Sequence, residues 1–346
     1  MTGFSFADAL LTWFDQHGRH DLPWQVADDP YKVWVSEIML QQTQVKTVLQ
    51  YFDRFIQRFP TVHHLAQATW EEVAPYWAGL GYYARARNLH KAAAIVASEG
   101  LPNNLAAWMA LPGIGRSTGG ALMSLGLRQY GVIMDGNVKR VLSRFYGLSQ
   151  DLTTPAAQRE LWQLAEALCP VERNHDYTQA IMDLGATICT PKKPLCLYCP
   201  MQPHCQAYLE GMTAQIPFKK PKTAVPIKTA QVLLFATAQQ PQTWLWQQRP
   251  NQGLWGGLWS LPIIEDPQHW QQLVQQYALQ HKPMQTQITH HFTHFTWHLQ
   301  AYQIMIPSAQ QPALAEHWQA TWLENEQAAA QGIPTAMKKL ISALKV

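Results

Sequence analysis

Charge is scarce in this chain of 346 residues, and long apolar runs are missing altogether. Only 14% of side chains are charged, 26 Lys and Arg against 23 Asp and Glu, for a net charge of +3. That excludes a histone-like polycation, so contact with a polyanion must come from a local arrangement of backbone amides and a few Lys or Arg. The small excess is uneven: residues 1–228 carry 21 basic and 18 acidic side chains, and residues 229–346 carry five of each. No stretch approaches eighteen consecutive apolar residues, and the opening MTGFSFADALLTWF has no basic run followed by a long apolar one. Neither a membrane span nor a secretory leader is expected, and the chain reads as soluble and cytoplasmic. Cysteine is also sparse, and four of the five lie between Cys189 and Cys205. This is not the scattered even set of a secreted disulfide scaffold, and it points to metal ligands in a reducing compartment. There is no internal repeat and no long low-complexity segment.

Alternating, strand-like patterning is absent from the first two hundred or so residues. Apolar residues there recur at helical spacing, as in Val33 to Tyr51, Asn88 to Ser98, Gly119 to Leu127 and Ala156 to Leu168. An all-α domain over residues 1–215 is expected. Residues 216–228, IPFKKPKTAVPIK, hold three prolines and four lysines without amphipathic period, which predicts a linker. Beyond it, QVLLFATA, TWLWQQR, LWSLP and HFTHFTWHLQAYQIM read as strand-rich pieces, and Gln268 to Gln280 and Thr335 to Leu344 as helices. Residues 229–346 are therefore expected to form a second, α+β domain. With 47% apolar residues, the chain can fill two cores.

Four motifs carry chemistry. Cys189, Cys196, Cys199 and Cys205 form C-x6-C-x2-C-x5-C. Four such thiolates can enclose a zinc ion or an iron-sulfur cluster, and the spacing alone leaves both open. Cys169 lies outside the pattern and reads as an ordinary buried thiol. The run Leu111-Pro-Gly-Ile-Gly-Arg-Ser-Thr118 sits between helical segments. Through Gly113 and Gly115 it is either a plain turn or a hairpin that aims successive backbone N–H groups at an anion. Asp135, in MDGNVKRVLSRF, is either the N-cap of the next helix or a functional carboxylate. Glu37 is flanked by Val33, Trp34, Ile38, Met39 and Leu40. Partial burial would raise its pKa and keep a proton available near neutral pH, as a general acid requires.

Pro23-Trp24-Gln25, the block Ser36 to Val45, and Leu80 to His90, taken with the hairpin, Asp135 and the cysteine intervals, resemble the MutY family of adenine DNA glycosylases over residues 4–215. The resemblance implies a helix-hairpin-helix glycosylase domain with a 4Fe-4S cluster held by the four cysteines. It implies a hairpin, Gly113 and Gly115, that grips a DNA phosphate without reading sequence, with Lys192 and Lys193 meeting phosphates nearby. Endonuclease III-like relatives that also cut the strand carry a nucleophilic lysine two residues past the second glycine, where this chain has Ser117. A monofunctional base-excision repair enzyme is therefore expected, acting as a monomer on double-stranded DNA with adenine opposite 8-oxoguanine or guanine. The base is flipped out of the stack, protonated by Glu37, and cut from a sugar whose oxocarbenium ion Asp135 stabilises by charge or by transient covalent capture. Asn137 and Ser117 are candidates for catalytic support.

By the same correspondence, Trp24, Gln25 and Gln179 line the adenine pocket, Gln42 and Thr43 contact the lesion-bearing strand, and Leu80 and Tyr82 press into the base stack. The second domain, with GLWGGLWSLP at 253–262, resembles the Nudix-like C-terminal domain of the family but lacks the acidic R-E-x-x-E-E helix that binds magnesium. Recognition without hydrolysis is the expectation. Phe292-Thr293-His294 matches a family Phe-Ser-His loop that touches the oxidised guanine, with threonine in place of serine. Two other readings compete. An endonuclease III-like lyase acting on oxidised pyrimidines is disfavoured by Ser117 and by the second domain. A non-catalytic DNA-binding or iron-sulfur sensor protein would have no use for Glu37 and Asp135 together.

Overall fold

The computed structural model describes residues 3–25, 29–218, 224–240, 242–250, 253–276 and 280–344. By internal contacts the chain forms two compact units, one of residues 1–66 and 91–222, the other of 67–90 and 223–346. The expected linker at 216–228 lies partly outside the described residues, which omit 219–223.

In chain order, the helices up to the cysteine loop are α1 (Phe6–His17), α2 (Pro30–Leu40), α3 (Val45–Arg58), α4 (Val62–Gln67), α5 (Trp70–Trp77), α6 (Tyr83–Glu99), α7 (Leu105–Ala110), α8 (Arg116–Ala121), α9 (Gly136–Phe145), α10 (Pro155–Leu168) and α11 (Asn174–Asp183). Short polar side chains fix their starts. Ser5, Asp29, Asn104 and Thr154 each accept a backbone N–H of the first turn, and Pro30 and Pro155 occupy the first helical position, where no N–H is needed. Where one helical segment is expected from Val33 to Tyr51, the structure has two, α2 and α3, broken at Gln41 to Gln44. The break turns on Gln42, whose φ of 57° is left-handed, and no glycine or proline announces it. Single π-helical turns, Leu122–Gly126 and Leu184–Ile188, prolong α8 and α11.

The helical core is built from Leu10 and Phe14 of α1, Val138 and Leu142 of α9, Leu161 of α10, and Tyr177 and Ile181 of α11. Each such side chain contributes roughly 1.5–3 kcal/mol by leaving water. Gly120 sits where α8 touches the segment leading to Asp135: a Cβ there would lie 1.9 Å from the Val132 carbonyl oxygen, and one on Gly131 would lie 2.1 Å from that of Gly120. Only glycine allows the two backbones to pass so closely.

In the second unit, β1 (Ile227–Ala236), β4 (Ile263–Ile264), β5 (Gln280–His291) and β6 (Thr296–Met305) form one sheet in the order β4-β1-β6-β5. β1 runs parallel to β6, and β5 antiparallel to it. A second sheet has the order β3-β2-β7, from β2 (Thr243–Gln248), β3 (Trp259–Ser260) and β7 (Thr321–Glu324). The helix expected over Gln268 to Gln280 is observed as Pro267–Gln276; residues 277–279 lie outside the described residues, and Gln280 already belongs to β5. Leu233, Phe235, Leu245, Ile304 and Leu314 are fully buried at the core of this unit. Residues 67–90 are tied to it by hydrogen bonds: Arg87 donates to the Gly256 carbonyl, Gln248 to Glu71 and Lys338 to the Ala78 carbonyl.

Candidate active site

The helical unit contains a cavity of about 760 Å3 on which α2, α8, α9 and α11 converge. Glu37 enters it from α2, Ser117 from α8, Asp135 and Asn137 from the start of α9, and Gln179 from α11, with Trp24, Gln42 and Thr43 completing the wall. Residues spread over about 160 positions of sequence thus meet at one site.

Glu37 is held among buried neighbours, Ser36 and Ile38 on either side. Burial first, and the negative charge of Asp135 second, push its carboxyl up to about 7. Asp135 caps α9, accepting from the backbone of Val138 at 2.8 Å, and its other oxygen accepts from Asn137 Nδ2 at 3.2 Å. Burial raises its pKa, while those hydrogen bonds and the Arg140 guanidinium oppose the rise. The pair is therefore unequal: Glu37 keeps its proton near neutrality, and Asp135 has donors arranged to support its charge. Ser117 Oγ accepts the Met134 N–H at 2.9 Å, so this hydroxyl braces the residue before Asp135 and presents no amine to the cavity.

Arg140, nearly buried, connects this site to the cysteine loop. It donates to Asn137 Oδ1 at 2.8 Å, to the Gly185 carbonyl at 2.6 Å and to the Cys189 carbonyl at 2.7 Å. Arg144, one turn on, donates to the Thr190 carbonyl at 2.7 Å, to Cys189 Sγ at 3.3 Å and to the Ile216 carbonyl at 2.8 Å. Cys189, Cys196, Cys199 and Cys205 are unpaired as disulfides and half-buried. They feel one another's charge: burial pushes the Cys199 thiol up to about 12, and Cys189, Cys205 and Cys196 add to the rise. Among the described residues, no three His, Cys, Asp or Glu side chains gather as ligands of a single metal ion. Lys192 and Lys193 are exposed on the same loop. Gly113, with a φ of 80°, turns the hairpin, and Gly115 caps α8.

Residues 35–167 match the model of the HhH-GPD superfamily base excision DNA repair protein, and residues 232–343 that of the NUDIX domain. An adenine DNA glycosylase of Buchnera aphidicola subsp. Baizongia pistaciae is 35% identical over 100% of this chain and 98% of its own length. The adenine DNA glycosylase of Homo sapiens is 34% identical over 97% of this chain and 73% of its own. The chain belongs to the adenine DNA glycosylases. Among solved structures, a thermostable thymine-DNA glycosylase is 30% identical with a TM-score of 0.54, covering 59% of this chain and 95% of that one. An endonuclease III bound to DNA, 20% identical with a TM-score of 0.50, shares the helical fold over 60% of this chain and 94% of its own. This adenine DNA glycosylase thus joins a helix-hairpin-helix domain to a C-terminal Nudix-like domain, as expected from its sequence.

The remaining candidate residues of the glycosylase fall in different places. Gln25 does not line the large cavity. It lines a smaller one beside it, and its amide is used internally, accepting from the Leu22 N–H at 2.9 Å and donating to the Arg19 carbonyl at 2.8 Å. Leu80 is buried, whereas Tyr82 is 46% exposed with a left-handed φ of 50°. Phe292, Thr293 and His294 form the tip of the β5–β6 hairpin, closed by the Phe292 N–H on the Phe295 carbonyl at 2.8 Å. Phe292 stacks on Phe295 while Thr293 and His294 are exposed. No described helix is long and apolar enough to cross a membrane. Sequence reading missed Arg19 and Asp183. Asp183, 1% exposed, accepts from the Arg19 backbone at 2.7 Å, from its guanidinium at 2.5 and 2.9 Å, and from Gln179 Nε2 at 2.7 Å. The available signal was an acidic residue in the apolar run Ile181-Met182-Asp183-Leu184.

Proposed function

We propose that this glycosylase removes adenine opposite 8-oxoguanine, or opposite guanine, from duplex DNA and leaves an abasic site without cutting the strand. The observation that carries this reading is the unequal carboxyl pair in one cavity, Glu37 held up to about 7 and Asp135 accepting from the Val138 N–H and the Asn137 amide, beside a serine where a lyase would need an amine. A flipped adenosine enters the cavity. Glu37 protonates N7 of the adenine, turning a poor anionic leaving group into a neutral one, and such acid catalysis typically contributes roughly 100- to 10,000-fold. The glycosidic bond then breaks, its electron pair staying with the base, and Asp135 stabilises the positive sugar. Asn137, bonded to Asp135, helps to place the water that adds at C1′, and the Glu37 carboxylate, left without its proton, takes up the one the water sheds. Arg19 and Gln179, each bonded to the buried Asp183, form a polar edge against which the base is held.

Solved endonuclease III structures include a complex with DNA, and the Gly113–Gly115 hairpin with the exposed Lys192 and Lys193 supports a grip on DNA phosphates here. The four cysteines fit a 4Fe-4S cluster. They are soft donors crowded into one loop, electrostatically coupled, with Arg144 against Cys189 Sγ to offset negative charge. When bound, the cluster supplies a cross-link that fixes the loop. Gln42 and Thr43 are assigned to the lesion-bearing strand, Leu80 and Tyr82 to the base stack, and the exposed Thr293-His294 tip to the oxidised guanine. The enzyme works as a cytoplasmic monomer. Incubating the full-length protein with a duplex holding one adenine opposite 8-oxoguanine should yield an abasic site, cleavable by alkali but intact without it. Strand scission without alkali, or no abasic site, would overturn the reading.

A further inference from the structure

Beside the catalytic cavity the helical unit holds a second one, of about 130 Å3. Trp24 and Gln179 line both, so these two side chains separate the compartments. The smaller space is roughly ten times what one water needs, enough for a single planar heterocycle. Its surfaces suit such a guest: Phe14, Val33 and Leu125 supply apolar faces, and His20 and His175 supply polar edges. His20 Nε2 is engaged with the Phe14 carbonyl at 3.1 Å and His175 Nδ1 with Asp176 at 3.3 Å. The other nitrogen of each ring has no hydrogen-bond partner among the described residues.

We propose that this rear cavity is a holding site for the free purine base, which passes the Trp24–Gln179 wall once it has been cut from the sugar. The inference rests on the functional reading above. A base freed in the catalytic cavity stays beside the sugar that released it while the DNA strand lies across the entrance. Until it moves, its N9 can re-attack C1′ and restore the bond. A compartment on the far side of Gln179 separates the products with the DNA still bound.

The test uses the full-length protein saturated with a duplex carrying 2′-fluoro-2′-deoxyadenosine opposite 8-oxoguanine. The electron-withdrawing fluorine blocks formation of the sugar cation, so an uncut adenine fills the catalytic cavity. Equilibrium dialysis with tritiated free adenine should then find one base per complex. Leu125→Trp, which fills the rear cavity, should weaken that binding by about ten-fold or more. The double variant His20→Ala/His175→Ala, which removes the polar edges, should weaken it by about three-fold or more. Both variants should release adenine from an ordinary duplex within about two-fold of the parent rate in a single turnover, because neither changes the catalytic cavity. Normal release without uptake of free adenine, or equal uptake by parent and both variants, would overturn the holding site alone. Failure of the parent to release adenine from the ordinary duplex would overturn the functional reading, and the holding site with it.

Discussion

Replacing Glu37 with Gln should stabilise the protein while abolishing its chemistry, with the stability effect confined to one pH range. Burial, reinforced by the charge of Asp135, raises the Glu37 carboxyl from 4.5 to about 7. A carboxyl whose folded pKa exceeds its unfolded one takes up a proton on folding between those two values. Its contribution is therefore most favourable below about 4.5 and is lost as pH rises through 7. At 1.36 kcal/mol per unit, ionised Glu37 costs the folded state about 3 kcal/mol above pH 7. Glutamine keeps the shape and carries no charge, and titrating groups other than Asp135 cancel in the comparison. Urea unfolding followed by tryptophan fluorescence should find variant and parent alike near pH 4 and the variant ahead by about 3 kcal/mol near pH 8. Across the same series the parent's single-turnover adenine release should fall as pH rises through about 7, because the donating form disappears, and the variant should release none. A stability difference that does not change with pH would refute the assignment of Glu37 as the buried, proton-holding carboxyl.

Asp135→Asn should stop adenine release yet cost about 1 kcal/mol or less of stability, since asparagine caps a helix as well as aspartate does; single-turnover kinetics and urea unfolding measure the two effects separately. Ser117→Lys should introduce strand nicking detectable by borohydride trapping, at a stability cost of about 0.5–1.5 kcal/mol for the lost Met134 hydrogen bond. Thr293→Ala with His294→Ala should lower the preference for 8-oxoguanine over guanine by about ten-fold, read from single-turnover rates and binding constants on the two mismatches; an unchanged ratio would place discrimination elsewhere.

Much of the fold was legible because helical periodicity survives in segments such as Ala156 to Leu168, whose helix begins one residue earlier, at Pro155. The division of Val33 to Tyr51 was not, because Gln42 takes a conformation usually given to glycine, and a left-handed glutamine leaves no mark in composition. At the site, Glu37 stood out as a charge among apolar residues, and the structure places it in one cavity with Asp135. Arg19 with Asp183 did not stand out as a pair, since 164 positions separate the partners and only folding brings them together. Gln25 was legible as a residue near the pocket but not as a strut of its own loop, because an amide's partners are set by backbone groups that sequence does not position. The attachment of residues 67–90 to the second unit was equally hidden, resting as it does on bonds to carbonyls such as that of Gly256.

The contact between Gly120 and the Gly131–Val132 backbone has a consequence for how inherited or engineered variants of this enzyme are judged. Neither glycine lines the catalytic cavity, so a survey that ranks substitutions by distance from substrate would score both as tolerant. Yet one methyl group at Gly120 displaces the Val132 backbone, and Asp135 lies three residues downstream on the same extended segment. The defect would be inherited as lost repair although no residue of the catalytic cavity is altered. Gly120→Ala compared with Gly3→Ala, where an added methyl meets nothing within 4 Å, separates the two cases. A normal rate of adenine release in Gly120→Ala would show that the segment yields without moving its carboxylate.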